Sequence, residues 1–195
     1  SVFRNLDETA QNSDIINGYP SVIDVPSFVD YILVAEIASN VDAYALSTYY
    51  HKERSGKLRA EPVWDYNLTF GNDLFQWGYD RSFTDVWQFD YENQGAYFWQ
   101  DLFNNPIFKC YLSKRFDELT ELGKPLNFSY ISNLIDDTAL LISEALVREN
   151  QRWNTIDNFP EEISNMKNWV QQRIIWMRKN LGDFSNCSLI ETPAL

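Results

Sequence analysis

The clearest hydrophobic pattern in the first quarter of the chain is helical. It opens at Pro26, since proline is favoured in a first turn, and it closes at Asn40. Between them, apolar residues recur at helical spacing, at Phe28, Ile32, Ala35 and Ala38. The pattern predicts a buried helix that presents Asp42 at its C-terminal edge. Residues 1–24 are weakly periodic and predict a short helix followed by irregular chain.

Residues 46–64 predict a β-hairpin. Positions 46–50 are rich in strand formers, positions 53–56 form a turn, and positions 57–64 return as a second strand. Asp42 and Asp65 are 23 positions apart. They precede and follow this hairpin, which uses most of that separation. The two carboxylates can therefore approach each other at its open end.

Residues 73–94 form a long aromatic stretch without a periodic pattern. Connections of this length in compact domains are usually functional loops or disordered segments. We expect an ordered loop that covers part of the molecule. Its candidates for a surface binding role are Trp77, Trp87 and Tyr91.

Beyond Ala96 the chain predicts a bundle of helices. One begins at Asn105-Pro106 and stops at Gly123; another is capped by Ser129; the last opens at Pro160 and closes at Gly182. The apolar positions of the middle helix run on without a break and are Ile131, Leu134, Ile135, Leu141, Ala145 and Leu146. The tryptophans of these helical patterns, expected in the core, are Trp99, Trp153, Trp169 and Trp176.

Composition narrows the possible classes of protein. The 195 residues are 45% hydrophobic and favour one domain over residues 1–182 with a tail at 183–195. A net charge of −12 argues against nucleic acid and anionic membranes as partners. No run approaches the roughly 20 apolar residues of a membrane span. Cys110 and Cys187 predict two free or buried thiols, with a single disulfide as the alternative.

The two acids around the hairpin suggest phosphoryl transfer. That reaction needs a carboxylate that orients the attacking hydroxyl and a second acid that holds the metal on the phosphates. Asp42 and Asp65 have this order, although an Asp after a helix is more often a cap or turn residue. His51, the only histidine, lies near a turn, which leaves no pattern for zinc or for a Ser-His-Asp triad.

Three arginines in the helical half have two interpretations. Arg148, Arg152 and Arg173 are expected to pair with acids between helices, and phosphate recognition is the alternative.

Several ordered segments resemble the CotH kinase family, named after a spore coat protein. The resemblance rests first on residues 40–49, on Gly56-Lys-Leu and on residues 62–72, which read Pro-Val-Trp-Asp-Tyr-Asn-Leu-Thr-Phe-Gly-Asn. It continues through residues 98–103, 105–108, 114–116, 145–153 and 166–173. The resemblance covers about residues 20–182, and the segments are most similar to those of exported members from Bacteroidetes.

The resemblance implies an α+β, mainly α fold. It implies that this chain is a protein-kinase-like C-lobe, with the hairpin at about 46–64 between the site acids and a helical bundle after residue 96. It implies that Asp42 is the catalytic acid and that Asp65 holds the metal. Asn67 stands where other members have a second acid, and it would supplement metal binding. Ser47 stands where some members have an asparagine that helps with the second metal, and it would be a weaker ligand. Trp64, which precedes the metal-holding acid, would contact the cofactor.

The resemblance also implies cofactors and partners. The full-length protein would use ATP with Mg or Mn to phosphorylate Ser or Thr of an exported or cell-surface protein, and this chain would need no cofactor to fold. Its seven glycines form no glycine-rich loop, so we expect a C-terminal half, excised or processed, that lacks its N-terminal lobe and is inactive alone. The alternative is a degenerate surface binding module that uses residues 73–94.

Overall fold

The computed structural model describes residues 1–72, 82–91, 95–154, 156 and 158–182. These residues form eight helices and one two-stranded antiparallel sheet. In chain order the elements are α1 (Val2–Thr9), α2 (Tyr19–Val22), α3 (Val25–Ala38), β1 (Thr48–His51), β2 (Arg59–Val63), α4 (Phe98–Asn104), α5 (Pro106–Thr120), α6 (Phe128–Leu141), α7 (Ser143–Trp153) and α8 (Phe159–Leu181). The predicted α+β, mainly α class, with a hairpin ahead of a helical bundle, is confirmed.

Helix α3 is the centre of the molecule. The Asp24 side chain caps it by accepting from the Ser27 amide at 3.1 Å. It ends at Ser39, whose φ of 50° is left-handed. Eleven of its 14 residues are buried, as expected of a helix that is apolar on all sides. It packs against β2, α5 and α8, so the predicted buried helix is confirmed.

The hairpin lies against α3 through one face. Thr48 pairs with Val63 and His51 with Arg59, which confirms the predicted hairpin. On the inner face Tyr50 accepts a hydrogen bond from the Trp99 indole at 3.1 Å. The outer face carries the exposed side chain of Tyr49. The hairpin is therefore anchored on the aromatic core and leaves its other face to solvent.

A buried ion pair joins α3 to α8. Glu36 and Arg173 are both fully buried, with 2.8 Å between the carboxylate and the guanidinium. Arg173 also donates to the Glu36 carbonyl at 2.8 Å and to the carbonyls of Thr84 and Val86 at 2.8 and 2.6 Å. Burial raises the pKa of Glu36 and lowers the pKa of Arg173, and each charge opposes the shift of the other. The structural interpretation of Arg173 is confirmed.

The other two arginines do not join helices. Arg148 pairs with Glu144 one turn away on α7. The Arg152 guanidinium lies 4.9 Å from the ring centre of Trp153 on the same helix. The prediction that these arginines pair with acids between helices is wrong for Arg148, whose partner is on its own helix. Trp153 is 58% exposed, so its prediction as a core residue is also wrong.

The middle helix differs from its prediction. Its cap is Asn127, whose side chain accepts from the Ser129 amide at 3.0 Å, and not Ser129. The continuous helix expected across residues 131–146 is broken at Ile142 into α6 and α7, and neither helix contains a buried residue. The helical spacing is confirmed, but its apolar positions are not buried, and Ile131 packs only against the edge of the core.

Two further expectations concern cysteine and membranes. Cys110 is disulfide-bonded, which excludes a free thiol there, and Cys187 lies outside the described residues. Within the part of the chain that the structure describes, no helix has the length and apolar character of a membrane span.

Replacing Arg173 with methionine removes the cation and leaves Glu36 buried without its partner. We expect Arg173→Met to lower the free energy of unfolding by about 3–5 kcal/mol, because the remaining buried charge is uncompensated. Urea titration followed by circular dichroism would measure the loss. Arg148→Met is the matched control, since the Arg148–Glu144 pair is exposed and such pairs contribute about 1 kcal/mol or less. Equal losses in the two variants would contradict the prediction.

Candidate functional site

Two acid-bearing loops lie side by side at the open end of the hairpin. One follows α3 and carries Asp42, and the other follows β2 and carries Asp65. They are joined by backbone hydrogen bonds from Phe70 N to the Ala38 carbonyl at 2.7 Å and from Val41 N to the Leu68 carbonyl at 3.5 Å. The fold thus brings together the two loops that the sequence separates.

The loop around Asp42 is a compact set of turns. The Asp42 amide donates to Oδ1 of Asn40 at 3.1 Å, and its carbonyl accepts from the amides of Leu46 and Ser47, both at 3.0 Å. The Asp42 side chain is half-buried. Asn40 is fully buried and fixes the loop before Asp42, a role that sequence reasoning missed. Its signal was an Asn two positions before the acid, the spacing of an Asx turn.

Tyr44 connects this loop to the buried ion pair. It has a φ of 70° and its hydroxyl donates to the Glu36 carboxylate at 2.7 Å. Burial and the Glu36 charge raise the pKa of Tyr44 well above its usual value, so the phenol stays a donor. The Tyr31 hydroxyl also lies 3.5 Å from the Tyr44 amide and 2.6 Å from the Thr48 hydroxyl. These three hydrogen bonds therefore hold the residues after Asp42 in place.

The second loop presents Asp65 and Asn67 to solvent. Both side chains are exposed, and Asp65 has a φ of 59°. The loop is closed by its own hydrogen bonds. The Thr69 hydroxyl donates to the Tyr66 carbonyl at 2.8 Å, and Nδ2 of the Asn72 side chain donates to the Asn67 carbonyl at 3.2 Å. A carboxylate and an amide oxygen two positions apart are oxygen donors of the kind that Mg²⁺ and Ca²⁺ accept.

Tyr66 packs under the second loop, towards the first. Burial raises the pKa of its hydroxyl, and the neighbouring Asn40 side chain opposes that shift. The two groups are close, but neither the Tyr66 hydroxyl nor the Asn40 Nδ2 completes a hydrogen bond of normal geometry. The interface between the loops thus contains two buried polar groups with hydrogen-bonding capacity left over.

Gly71 fixes the position of the second loop against α8. Its φ is 81°, and an added Cβ would lie 2.8 Å from Cδ1 of Trp169. The preceding Phe70 meets the same ring edge-to-face at 6.2 Å, and the Trp169 indole donates to the Ser82 carbonyl at 2.6 Å. Trp169 is therefore a supporting residue of the site, and only the fold reveals that.

The remaining sequence candidates differ in accessibility. Ser47 is buried, with 7% of its surface exposed. Trp64 is 57% exposed and packs edge-to-face on Tyr49 at 6.0 Å. Trp64 therefore offers a ring beside Asp65, whereas Ser47 is mainly a structural neighbour of Asp42.

The aromatic stretch does not present all its rings at the surface. Trp87 is half-buried, with its ring 4.8 Å from that of Phe103 and 4.6 Å from that of Trp176, so the ring takes part in packing, and its surface binding role stays a prediction. Tyr91 is half-buried and lies edge-to-face with Phe83 at 5.9 Å. Trp77 lies outside the described residues.

Within the described ranges, no group of three or more His, Cys, Asp or Glu side chains is arranged to hold a metal ion. A divalent cation here would therefore be held by few protein ligands. Mg²⁺ is commonly bound in this way, through one or two carboxylates together with water and substrate phosphates. The exposed Asp65 and Asn67 fit that mode.

A mainly helical fold with two acid-bearing loops at the end of a hairpin defines a candidate kinase-like site. The family model described as CotH kinase protein matches residues 1–177. The chain belongs to the CotH kinase family, which gives it a kinase-like function at the level of the family. Comparison with curated proteins and with solved structures returned no match.

Gly71→Ala and Gly123→Ala form a matched pair of substitutions. Their φ angles are 81° and 80°, so alanine is similarly strained at both positions. Only at Gly71 would the new Cβ meet a ring, since Gly123 has no atom within 4 Å. We expect Gly71→Ala to lose about 1–3 kcal/mol more in the free energy of unfolding than Gly123→Ala, as measured by urea titration. Similar losses would show that Trp169 does not constrain the loop.

Proposed function

We propose that this chain is the C-lobe of an atypical protein kinase that transfers phosphate from ATP to Ser or Thr of an exported protein. The observation that carries the proposal is the pair of hydrogen bonds that holds the Asp42 and Asp65 loops together at the end of the hairpin. Membership of the CotH kinase family supports it. Catalysis of this reaction is mainly positioning and electrostatics, which rigid neighbouring loops supply.

In this proposal Asp42 is the catalytic acid. It would orient the acceptor hydroxyl and accept its proton while the hydroxyl oxygen bonds to the γ-phosphorus of ATP and the bond from that phosphorus to the β–γ bridging oxygen breaks, so that ADP leaves. Asn40 and Tyr44 act as positioning residues, because they fix the backbone on either side of Asp42. A carboxylate held in this way does not need to reorganise during the reaction.

Asp65 would bind the divalent cation, Mg or Mn, and Asn67 would supplement it. A cation bound there neutralises charge on the ATP phosphates. Asn67 contributes a neutral oxygen where a second acid would contribute a charge, so it is the weaker donor. We assign Trp64 to contact with the nucleotide, since its exposed ring lies next to Asp65 in the chain. Ser47, being buried, is the least suited of the assigned residues to reach a metal.

The alternative, a degenerate binding module based on residues 73–94, receives less support. Trp87 packs inward against Phe103 and Trp176, and Tyr91 packs against Phe83. We propose an exported or cell-surface protein substrate, in keeping with the family. The net charge of −12 argues against nucleic acid as a partner.

The test is phosphorylation by the full-length protein with ATP and Mg or Mn. We expect Asp42→Asn to lower kcat about 10²- to 10⁴-fold, the usual contribution of a positioned general base, while nucleotide binding is retained. Asp65→Asn should instead weaken metal-dependent ATP binding, measured by calorimetry, together with activity. The two variants thus separate the proposed roles.

Asp7→Asn is the matched control, because Asp7 is an exposed acid on α1 and should keep full activity. Unchanged phosphate transfer in Asp42→Asn and Asp65→Asn would overturn the site assignment. Absence of any ATP binding by the folded full-length protein would overturn the kinase proposal.

A further inference from the structure

An open apolar groove lies between α6 and α8. It has a volume of about 360 Å³ and, apart from Thr138, only apolar side chains and the Ala139 methyl line it. Its walls include Leu134 and Ile135 of α6 and Ile163 and Met166 of α8. Phe70, which is in the same loop as Asp65, also lines it. The groove therefore lies beside the candidate site without being part of it.

The groove exposes an apolar face of α6 that is not buried in the core. Neither α6 nor α7 contains a buried residue, and Leu134 and Ile142, which line the groove, are 55% and 39% exposed. A contiguous apolar surface in a groove with a polar rim is typical of an interaction site. The lining positions of α6 and its C-cap run from Ile131 to Ile142, a length of roughly 16 Å at 1.5 Å per residue, or about three helical turns.

The rim of the groove is acidic. Glu162 lies one turn from Phe159 and Met166 on α8, and Asp137 lies one turn from Leu134 on α6, since residues three and four apart are neighbours on a helix. Both acids are exposed, and no salt bridge among the described residues pairs either of them. Lys167, which follows Met166 in the chain, is already paired with Asp136. The open side therefore offers apolar contact flanked by uncompensated negative charge.

From the groove and its rim, we propose that a cationic amphipathic helix of a partner protein docks between α6 and α8. Both walls are helices, whose backbone groups hydrogen-bond within the helix. The groove therefore offers no strand edge to an extended peptide, and it would contact the side chains of its partner, as helix-binding grooves do. Acidic rims repel anionic lipid. They also repel a second copy of this chain, with its net charge of −12. The inference is independent of phosphoryl transfer.

The probe is a fluorescent synthetic peptide of Leu and Lys, about five helical turns long, with Leu on one face. We expect the 195-residue chain to raise its anisotropy saturably, and an isomer with scrambled order to bind at least tenfold more weakly. Leu134→Asp should weaken binding tenfold or more although it adds negative charge, because it removes an apolar anchor. Ile175→Asp is the matched control, since Ile175 is 62% exposed on α8 outside the groove.

Charge is tested separately. Glu162→Lys should weaken binding, while Glu121→Lys, an equal reversal at an exposed position outside the groove, should have a smaller effect. Circular dichroism confirms that each variant is folded. Equal binding of the ordered and scrambled peptides, or unchanged binding by Leu134→Asp, would overturn the proposal. Tighter binding of a peptide of Leu and Glu would also overturn it. The same holds for self-association of the chain, or for its binding to anionic vesicles, if Leu134→Asp abolishes that association or that binding.

Discussion

The structure depends on one buried charge pair. Glu36 and Arg173 are both fully removed from solvent, so each charge must be satisfied inside the protein or the fold pays a large desolvation cost. Glu36 meets this requirement with Arg173, the Tyr44 hydroxyl and the Gln88 and Phe89 amides, while Arg173 also donates to three backbone carbonyls. Because these partners come from four separate parts of the chain, satisfying two charges fixes α3, α8, the Asp42 loop and residues 84–89 relative to one another.

This constraint explains how a site made of loops can be well defined. Asp42 follows the most buried helix, and the residues around it are held by Asn40 and Tyr44. The Asp65 loop is held from the other side, by the Ala38 carbonyl and by the close approach of Gly71 to Trp169. Functional residues placed on loops over a rigid scaffold are common in proteins, and here α3 and α8 form that scaffold.

The helical half divides into a packed part and an open part. Helix α5 and the C-terminal half of α8 place Phe108, Phe116 and Met177 in the core, whereas α6 and α7 bury no residue fully. The same apolar spacing thus has two outcomes, a core face and an exposed groove. The groove meets the site loop at Phe70, so a partner bound there would lie next to the residues proposed for phosphoryl transfer.

The sequence by itself determined the local elements: α3 from its apolar period and Pro26, the hairpin from strand formers around a turn, and the starts of α5 and α8 from Asn105 and Pro160. Such elements depend on interactions between residues a few positions apart, and the order of residues in the sequence records those interactions directly. It also placed Asp42 and Asp65 on either side of the hairpin. Only the tertiary structure decided that Asn40 and Trp169 support the site, that Trp87 packs inward and that α6 leaves its apolar face open. Those outcomes depend on partners that are distant in the chain, such as Glu36 and Arg173, and no local spacing specifies which distant residues meet.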